Sequence, residues 1–253
     1  MSGVTLQREG AVVVLSLNRP ERHNALVPAL LSSLLAALES DACCTASAIV
    51  LRAEGRSFST GGDLLGFQQH IDSIAEYAFE LVGLLNKAII GLYFHPLPVI
   101  CSVQGQVTGG SVGLLLAANR VLMSRRASIT PWYNEVGFSP DGGWTGILPL
   151  VIGHQQVTQW LSTNASYNAT DCLELGLVDR VTEGECDTAA LAWAQMLATG
   201  QDSSVSHTPH RINLDAETLL AALEAERKAF VAQIQTSAAP CGIEKFLRRH
   251  DHA

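Results

Sequence analysis

Pro98-Val99-Ile100-Cys101-Ser102-Val103-Gln104-Gly105-Gln106-Val107-Thr108-Gly109-Gly110-Ser111 is a strand-like run that ends in adjacent glycines, and a helix-forming stretch, Val112 to Asn119, follows it. Upstream, Ser57-Phe58-Ser59-Thr60-Gly61-Gly62-Asp63-Leu64 ends the same way. Adjacent glycines permit positive φ and let a ligand approach the backbone closely. Read singly, each pair is a tight turn. Read together, two such loops can each aim one backbone N–H at a single oxygen. That is the layout of an oxyanion hole, which stabilises charge developing on a carbonyl.

Around these loops, strands alternate with helices. Ala11 to Leu17 reads as a buried strand, punctuated by Asn18-Arg19-Pro20. Leu26 to Leu38 carries apolar residues at helical spacing. Ala48 to Ala53 is a second strand and feeds the first glycine loop. Gly66 to Ser73 is polar and reads as a mobile loop. Ile74 to Tyr93 is a long helix, stopped by His95-Pro96-Leu97-Pro98. Val99 to Val103 is a strand, Gly110 to Asn119 a helix and Val121 to Ser124 another strand. The alternation predicts an α/β fold. From Asp187 onward the pattern is helical: Thr188 to Leu197, Ala216 to Ile234 and Ile243 to Arg249. The polar stretch Gly200-Gln201-Asp202-Ser203-Ser204 marks a boundary between residues 1–200 and 201–253.

Bulk properties narrow the function classes. The chain of 253 residues is 47% hydrophobic, which suits a well-cored globular protein. A formal charge of −8 argues against non-specific nucleic-acid binding. No apolar run approaches the roughly 18 residues of a membrane span. Met1 to Glu9 lacks the apolar core of a signal peptide, so the cytoplasm is the expected compartment. Cys43, Cys44, Cys101, Cys172, Cys186 and Cys241 fit neither a zinc site nor a disulfide scaffold by spacing. Reduced thiols and no metal are expected.

Further segments complete an ordered set. Asn18-Arg19-Pro20-Glu21-Arg22-His23-Asn24-Ala25-Leu26 lies upstream of both loops. Gly137-Phe138-Ser139-Pro140-Asp141-Gly142-Gly143 lies downstream, then Leu148-Pro149-Leu150-Val151-Ile152-Gly153, then Ala169-Thr170-Asp171-Cys172-Leu173-Glu174-Leu175-Gly176-Leu177-Val178-Asp179. From Val12 to Val181 this set resembles the crotonase superfamily, also called the enoyl-CoA hydratase/isomerase family. The resemblance implies a spiral of ββα units with a C-terminal helical trimerisation region. It implies an acyl-CoA thioester substrate and a homotrimer or dimer of trimers. No cofactor is implied beyond the coenzyme A of the substrate, and no nucleic-acid or membrane partner.

The resemblance also places the site. A thioester enolate carries its charge on oxygen, and the N–H groups of Gly62 and Gly110 would hold it. Gly110 would stand at a helix N-terminus, where free N–H groups favour an anion. Ala25, Leu26, Ser59, Thr60 and Gly61 would bind the substrate largely through their backbone, with Arg22 or Arg56 near the phosphates. The family's hydratases use two glutamates. Here one position is Gly113. The other, counted without gaps from Ser139-Pro140-Asp141, is Tyr133, a poor base at neutral pH with a reference pKa of about 10. A register shift of two would select Glu135, which otherwise reads as a surface carboxylate. Asp141 remains. In double-bond isomerases of the family an aspartate here shuttles a proton, and in a chlorobenzoyl-CoA dehalogenase it is a nucleophile. Its bland alternative is a helix cap. Trp132, Tyr133 and Trp144 either line an acyl pocket or belong to the core, and Tyr133 is included among the substrate-binding residues. Asp63 reads as structural, and His70 as a surface residue.

The leading expectation is an enoyl-CoA isomerase in which Asp141 carries a proton between two carbons, with no water to activate. A hydratase or hydrolase using Asp141, and a non-catalytic acyl-CoA-binding paralogue, are the alternatives.

Overall fold

The computed structural model describes residues 3–201 and 213–250. Among the described residues the strands are β1 (Val4–Glu9), β2 (Val12–Leu17), β3 (Ala48–Ala53), β4 (Ser57–Ser59), β5 (Val99–Val103), β6 (Gln106–Thr108), β7 (Arg120–Ser124), β8 (Ser128–Thr130), β9 (Tyr167–Asn168) and β10 (Arg180–Thr182). Two sheets form, one in the order β1-β2-β3-β5-β7-β10 and the other β4-β6-β8-β9. The chain alternates between them. β3, β5 and β7 lie in the larger sheet, and each is followed by a strand of the smaller one. A helical segment then returns the chain, so the expected ββα spiral is present. The larger sheet is parallel from β2 to β10, and only β1 runs against its neighbour.

The sequence of β2 explains why that sheet is central. Val12-Val13-Val14-Leu15 has no polar face, as expected of a strand covered on both sides. Val13, Leu15 and Leu17 join the main core with Leu30 and Leu34. Val12 and Val14 face the other way, onto Cys186, Ala190 and Trp193 of the Cys186–Ala198 helix.

Several predicted elements shift for local reasons. The first long helix begins at Pro28, a favoured first position, because Leu26 is bridged to Gly62. The helix expected over 110–119 is a 3-10 turn, Gly109–Ser111, followed by Val112–Leu116. It ends early because Asn119 turns back, its N–H donating to Val99 O and its side chain accepting Val99 N–H at 2.7 Å. The expected mobile loop at 66–73 is instead the helix Leu64–Gln69 and a 3-10 turn, Ile71–Ser73. Asp63 caps that helix by accepting Leu65 N–H at 3.1 Å, and Phe67 anchors it in the core.

The Ile74–Tyr93 helix has the predicted bounds. The Ala216–Ile234 helix packs along it, and the Ala238–His250 helix packs against Leu64–Gln69 and the short Tyr133–Val136 helix. Leu219, Leu223, Phe230, Ile234 and Ile243 enter the same core as the larger sheet. Of the stretch read as a boundary, residues 202–204 lie outside the described residues. Among the described residues no helix is long and apolar enough to cross a membrane.

Candidate active site

Parallel pairing of β4 with β6, Ser57 opposite Gln106 and Ser59 opposite Val107, brings the two glycine loops out side by side. They then touch. Gly61 has φ 72°, and a Cβ there would stand 2.9 Å from Thr108 O and 3.6 Å from Gly109 Cα. Only glycine tolerates both conditions. Ser111 ties the loops together, its Oγ lying 2.6 Å from Thr108 O and 3.1 Å from Ser59 O.

The bonds of Leu26 set the first loop's free donor. Leu26 N–H donates to Gly61 O at 2.7 Å and Asp63 N–H donates to Leu26 O at 3.0 Å, skipping Gly62 between them. Gly110 lies in the first turn of its helical segment, where an N–H has no internal partner. Among the described residues neither amide finds an acceptor. Both glycines line one cavity of about 1230 Å³.

Asp141 faces the same cavity. It caps nothing: Gly142 and Gly143 follow it with φ 68° and 93°, and no helix starts before Leu148. Its carboxylate lies against Gly110, where a Cβ would be 2.7 Å from each carboxylate oxygen. Tyr133 Oη donates to Asp141 Oδ1 at 2.7 Å and accepts Asp141 N–H at 3.2 Å. Burial pushes the Asp141 carboxyl up to about 7, against the Tyr133 hydrogen bond and with help from the nearby Glu226 charge. Burial and the Asp141 carboxylate push the Tyr133 phenol well above its usual range.

The remaining predicted residues divide. Ala25, Leu26, Thr60 and Gly61 line the cavity, as does Tyr133, whose hydroxyl is committed to Asp141. Ser59 is behind the wall, fully buried, with its Oγ donating to Asn24 O at 2.8 Å. Arg22 and Arg56 are on the rim and are joined there by Arg126, which sequence reasoning passed over. Arg56 also reaches His23 Nε2 at 2.8 Å. Asp63 is structural, ion-paired with Arg19 at 2.7 Å and Arg22 at 3.2 Å. Burial raises its carboxyl, but these guanidinium groups outweigh that and hold it below the usual range. His70 stacks on Tyr77 at 4.4 Å, away from Asp141.

Neither hydratase position supplies a carboxylate. A Cβ on Gly113 would meet Ile89 Cδ1 at 2.4 Å and Gly142 O at 2.5 Å, so the space for a longer side chain is already occupied. Tyr133 opens a helical turn rather than lying on a strand, entered through Trp132 at φ 64°. Glu135 two residues on therefore diverges from it, and pairs with Arg249 at 3.4 Å on a half-exposed surface. Trp132 lines the cavity with Phe246, edge to face at 5.5 Å. Trp144 is core, and its Nε1 donates to Gly109 O at 2.8 Å, steadying the second loop.

Sequence reasoning also missed Glu226, only 4% exposed on the Ala216–Ile234 helix. The signal was there: it interrupts the apolar stripe Leu219, Leu223, Phe230, Ile234. Phe67, Phe138 and Phe230 were missed as well. They form a ring cluster along the cavity, with centroids 5.1 to 6.1 Å apart.

Residues 7–253 match the family model described as enoyl-CoA hydratase/isomerase. The chain is 29% identical over 237 residues to 4-chlorobenzoyl coenzyme A dehalogenase-2 from an Arthrobacter species, across 91% of this chain and 85% of that one. It is 31% identical over 179 residues to the trans-2-decenoyl-acyl-carrier-protein isomerase of Streptococcus mutans, across 70% of this chain and 68% of that one. Among solved structures, enoyl-CoA hydratase from Bacillus halodurans superposes with a TM-score of 0.84 at 22% identity, covering 96% of this chain and all (100%) of that one. That likeness concerns the fold.

Proposed function

The chain belongs to the enoyl-CoA hydratase/isomerase family, of the crotonase superfamily, and from that premise we propose that it is an enoyl-CoA isomerase with Asp141 as its single proton carrier. The observation that carries this reading is one buried carboxylate, poised near neutrality, set against Gly110 with no second acid at the Gly113 or Tyr133 positions. In the proposed step the thioester carbonyl oxygen accepts from the Gly62 and Gly110 N–H groups. Asp141 takes a proton from the carbon next to the carbonyl. The electron pair of that C–H bond passes into a dienolate whose charge rests on the held oxygen. Asp141 then returns the proton two carbons further along, and the double bond has moved. Nothing is added or lost.

Each part suits its task. A carboxyl that titrates near 7 both accepts and gives a proton at physiological pH. An oxyanion-hole donor contributes roughly 10²–10³ in kcat by preorganised charge stabilisation. Hydration needs a second group to activate water, and the packed Gly113 position leaves no room for it. The relatives include the isomerase of Streptococcus mutans and a 1,2-epoxyphenylacetyl-CoA isomerase of Escherichia coli, 29% identical over 228 residues, beside a putative enoyl-CoA hydratase of Thermus thermophilus, 31% identical over 215 residues. It is therefore the site's own residues that support a shift of bonds over addition. Coenzyme A would lie along Ala25, Leu26, Thr60 and Gly61, with its phosphates at Arg22, Arg56 and Arg126. The cysteine spacing, which suits no disulfide scaffold, supports a reducing, cytoplasmic setting, and the family resemblance a trimer or dimer of trimers.

The test is turnover of 3-enoyl-, 2-enoyl- and dienoyl-CoA thioesters in deuterated water. Double-bond migration with deuterium entering the chain supports the reading. Water added across the bond overturns it in favour of a hydratase. Coenzyme A binding without either event overturns it in favour of a non-catalytic paralogue.

A further inference from the structure

A carboxylate buried among apolar side chains is costly unless it is fully bonded. Glu226 is fully bonded, and the bonds run to one place. Its Oε2 accepts Gly143 N–H at 2.6 Å. Its Oε1 accepts Thr145 N–H at 2.6 Å, Thr145 Oγ–H at 2.7 Å and Gly146 N–H at 3.0 Å. Three of the four partners are backbone N–H groups, which can only donate, and they favour the carboxylate anion; the fourth, the Thr145 hydroxyl, can donate or accept. All four belong to the segment immediately after Asp141. That segment has positive-φ glycines and belongs to no strand or helix, so its N–H groups need an outside acceptor. Backbone contact carries the constraint onward, because a Cβ on Gly142 would stand 2.2 Å from Gly110 O. The turn is wedged against the second glycine loop.

We propose that Glu226 is a positioning residue: from the C-terminal helix its carboxylate clamps the Gly143–Gly146 turn and so holds Asp141 against Gly110. The clamp has a second consequence, and it rests on the isomerase reading above. Burial raises the Glu226 carboxyl while its bonds from Thr145, Gly143 and Gly146 lower it; in its ionised form it places a negative charge near Asp141 without sharing a bond with it. Like charge disfavours the ionised form, so Asp141 holds its proton to a higher pH. Among the described residues the titratable groups bearing on Asp141 are Tyr133 and Glu226, and they act in opposite directions: the phenol's hydrogen bond lowers, the carboxylate raises.

The experiment is Glu226→Gln in the full-length protein, compared with Glu226→Asp and Thr145→Val. The expected result for Glu226→Gln is a fall of tenfold or more in kcat with KM within about twofold, and a pH–rate limb moved to lower pH. Thr145→Val removes one bond and no charge, so kcat falls a few-fold and the limb stays. Glu226→Asp keeps the charge on a shorter arm, so the limb stays while kcat falls. Combining Glu226→Gln with Asp141→Asn should add nothing to the loss from Asp141→Asn alone. Additive losses, or a Glu226→Gln limb at the wild-type pH, overturn the proposal. If Glu226→Gln does not fold, unchanged kcat in both Glu226→Asp and Thr145→Val overturns it. Should the wild type turn over none of the thioesters, the isomerase reading fails by itself. The titration midpoint of Asp141, followed by carboxyl-carbon NMR in the ligand-free protein, then decides: a lower midpoint in Glu226→Gln supports the clamp, and an unmoved one overturns it.

Discussion

Two side chains, Tyr133 and Glu226, set the chemistry of Asp141, and each predicts a distinct titration. Asp141 as base must be ionised, so kcat/KM should rise through about pH 7 and then level, and Asp141→Asn should be flat and at least 10²-fold slower. Tyr133→Phe deletes the hydrogen bond that favours the ionised form. Its limb should move to higher pH, opposite to Glu226→Gln, with a several-fold loss at pH 7; a limb displaced downward contradicts the assignment. The same raised pKa acts on stability. An acid whose folded pKa exceeds its unfolded one, about 3.9 for aspartate, makes the fold lose stability as pH rises from roughly 4 to 7. Asparagine keeps an acceptor for Tyr133 but cannot ionise. Asp141→Asn should therefore melt at least about 3 °C higher than wild type at pH 8, with the gap closing by pH 4. Thermal scans at the two pH values check this, and a lower melting temperature at pH 8 refutes it. At this scale the sequence was legible where the residue has no choice. Gly61 is required by close contact with the Thr108 backbone, and Gly62 and Gly110 by close contact with the Phe67 and Asp141 side chains, and contact of that kind leaves a glycine motif. Glu226 leaves no motif, only a break in the apolar stripe of its helix, because its partners lie 80 to 83 positions earlier and are mostly backbone amides.

The elements show what periodicity can and cannot carry. Ile74–Tyr93 and Ala216–Ile234 are long, and their apolar stripes outvote local noise. The Leu64–Gln69 helix is six residues, too short for a stripe to register. It exists through the local Asp63 cap and the burial of Phe67 among residues distant in the chain. The Tyr133–Val136 turn is shorter still, and its onset at a left-handed Trp132 has no sequence signature. A prediction belongs to the packing of elements. The Val112–Leu116 helix meets the 141–143 segment at Gly113, where any Cβ overlaps Ile89 and Gly142 O. Gly113→Ala should lose about 1–3 kcal/mol in denaturant unfolding, the usual cost of overpacking. Gly113→Glu should not create hydratase activity, and water addition by that variant would show that the helix can retreat.

For the molecule as a whole, the helices after residue 213 share a core with the residues before 201. The two C-terminal helices bury Leu219, Leu223, Phe230, Ile234 and Ile243 in the core that also holds β2 and β3. They also supply Glu226 to the Asp141 turn, and Phe230, Phe246 and Leu247 to the cavity wall. Core, Asp141 turn and cavity wall are thus built from both sides of residue 200. A chain ending at Gly200 would expose the apolar face of the Ile74–Tyr93 helix and leave Gly143, Thr145 and Gly146 without their acceptor. It should lose cooperative unfolding and aggregate, while the same truncated chain mixed with a peptide of residues 213–250 should recover part of both fold and coenzyme A binding. Circular dichroism melts and calorimetric titration with coenzyme A check the pair of outcomes. A truncated chain that melts cooperatively and binds coenzyme A as tightly as the full chain would mean that the C-terminal helices are an appendage, and that the clamp on Asp141 is not needed to build the site.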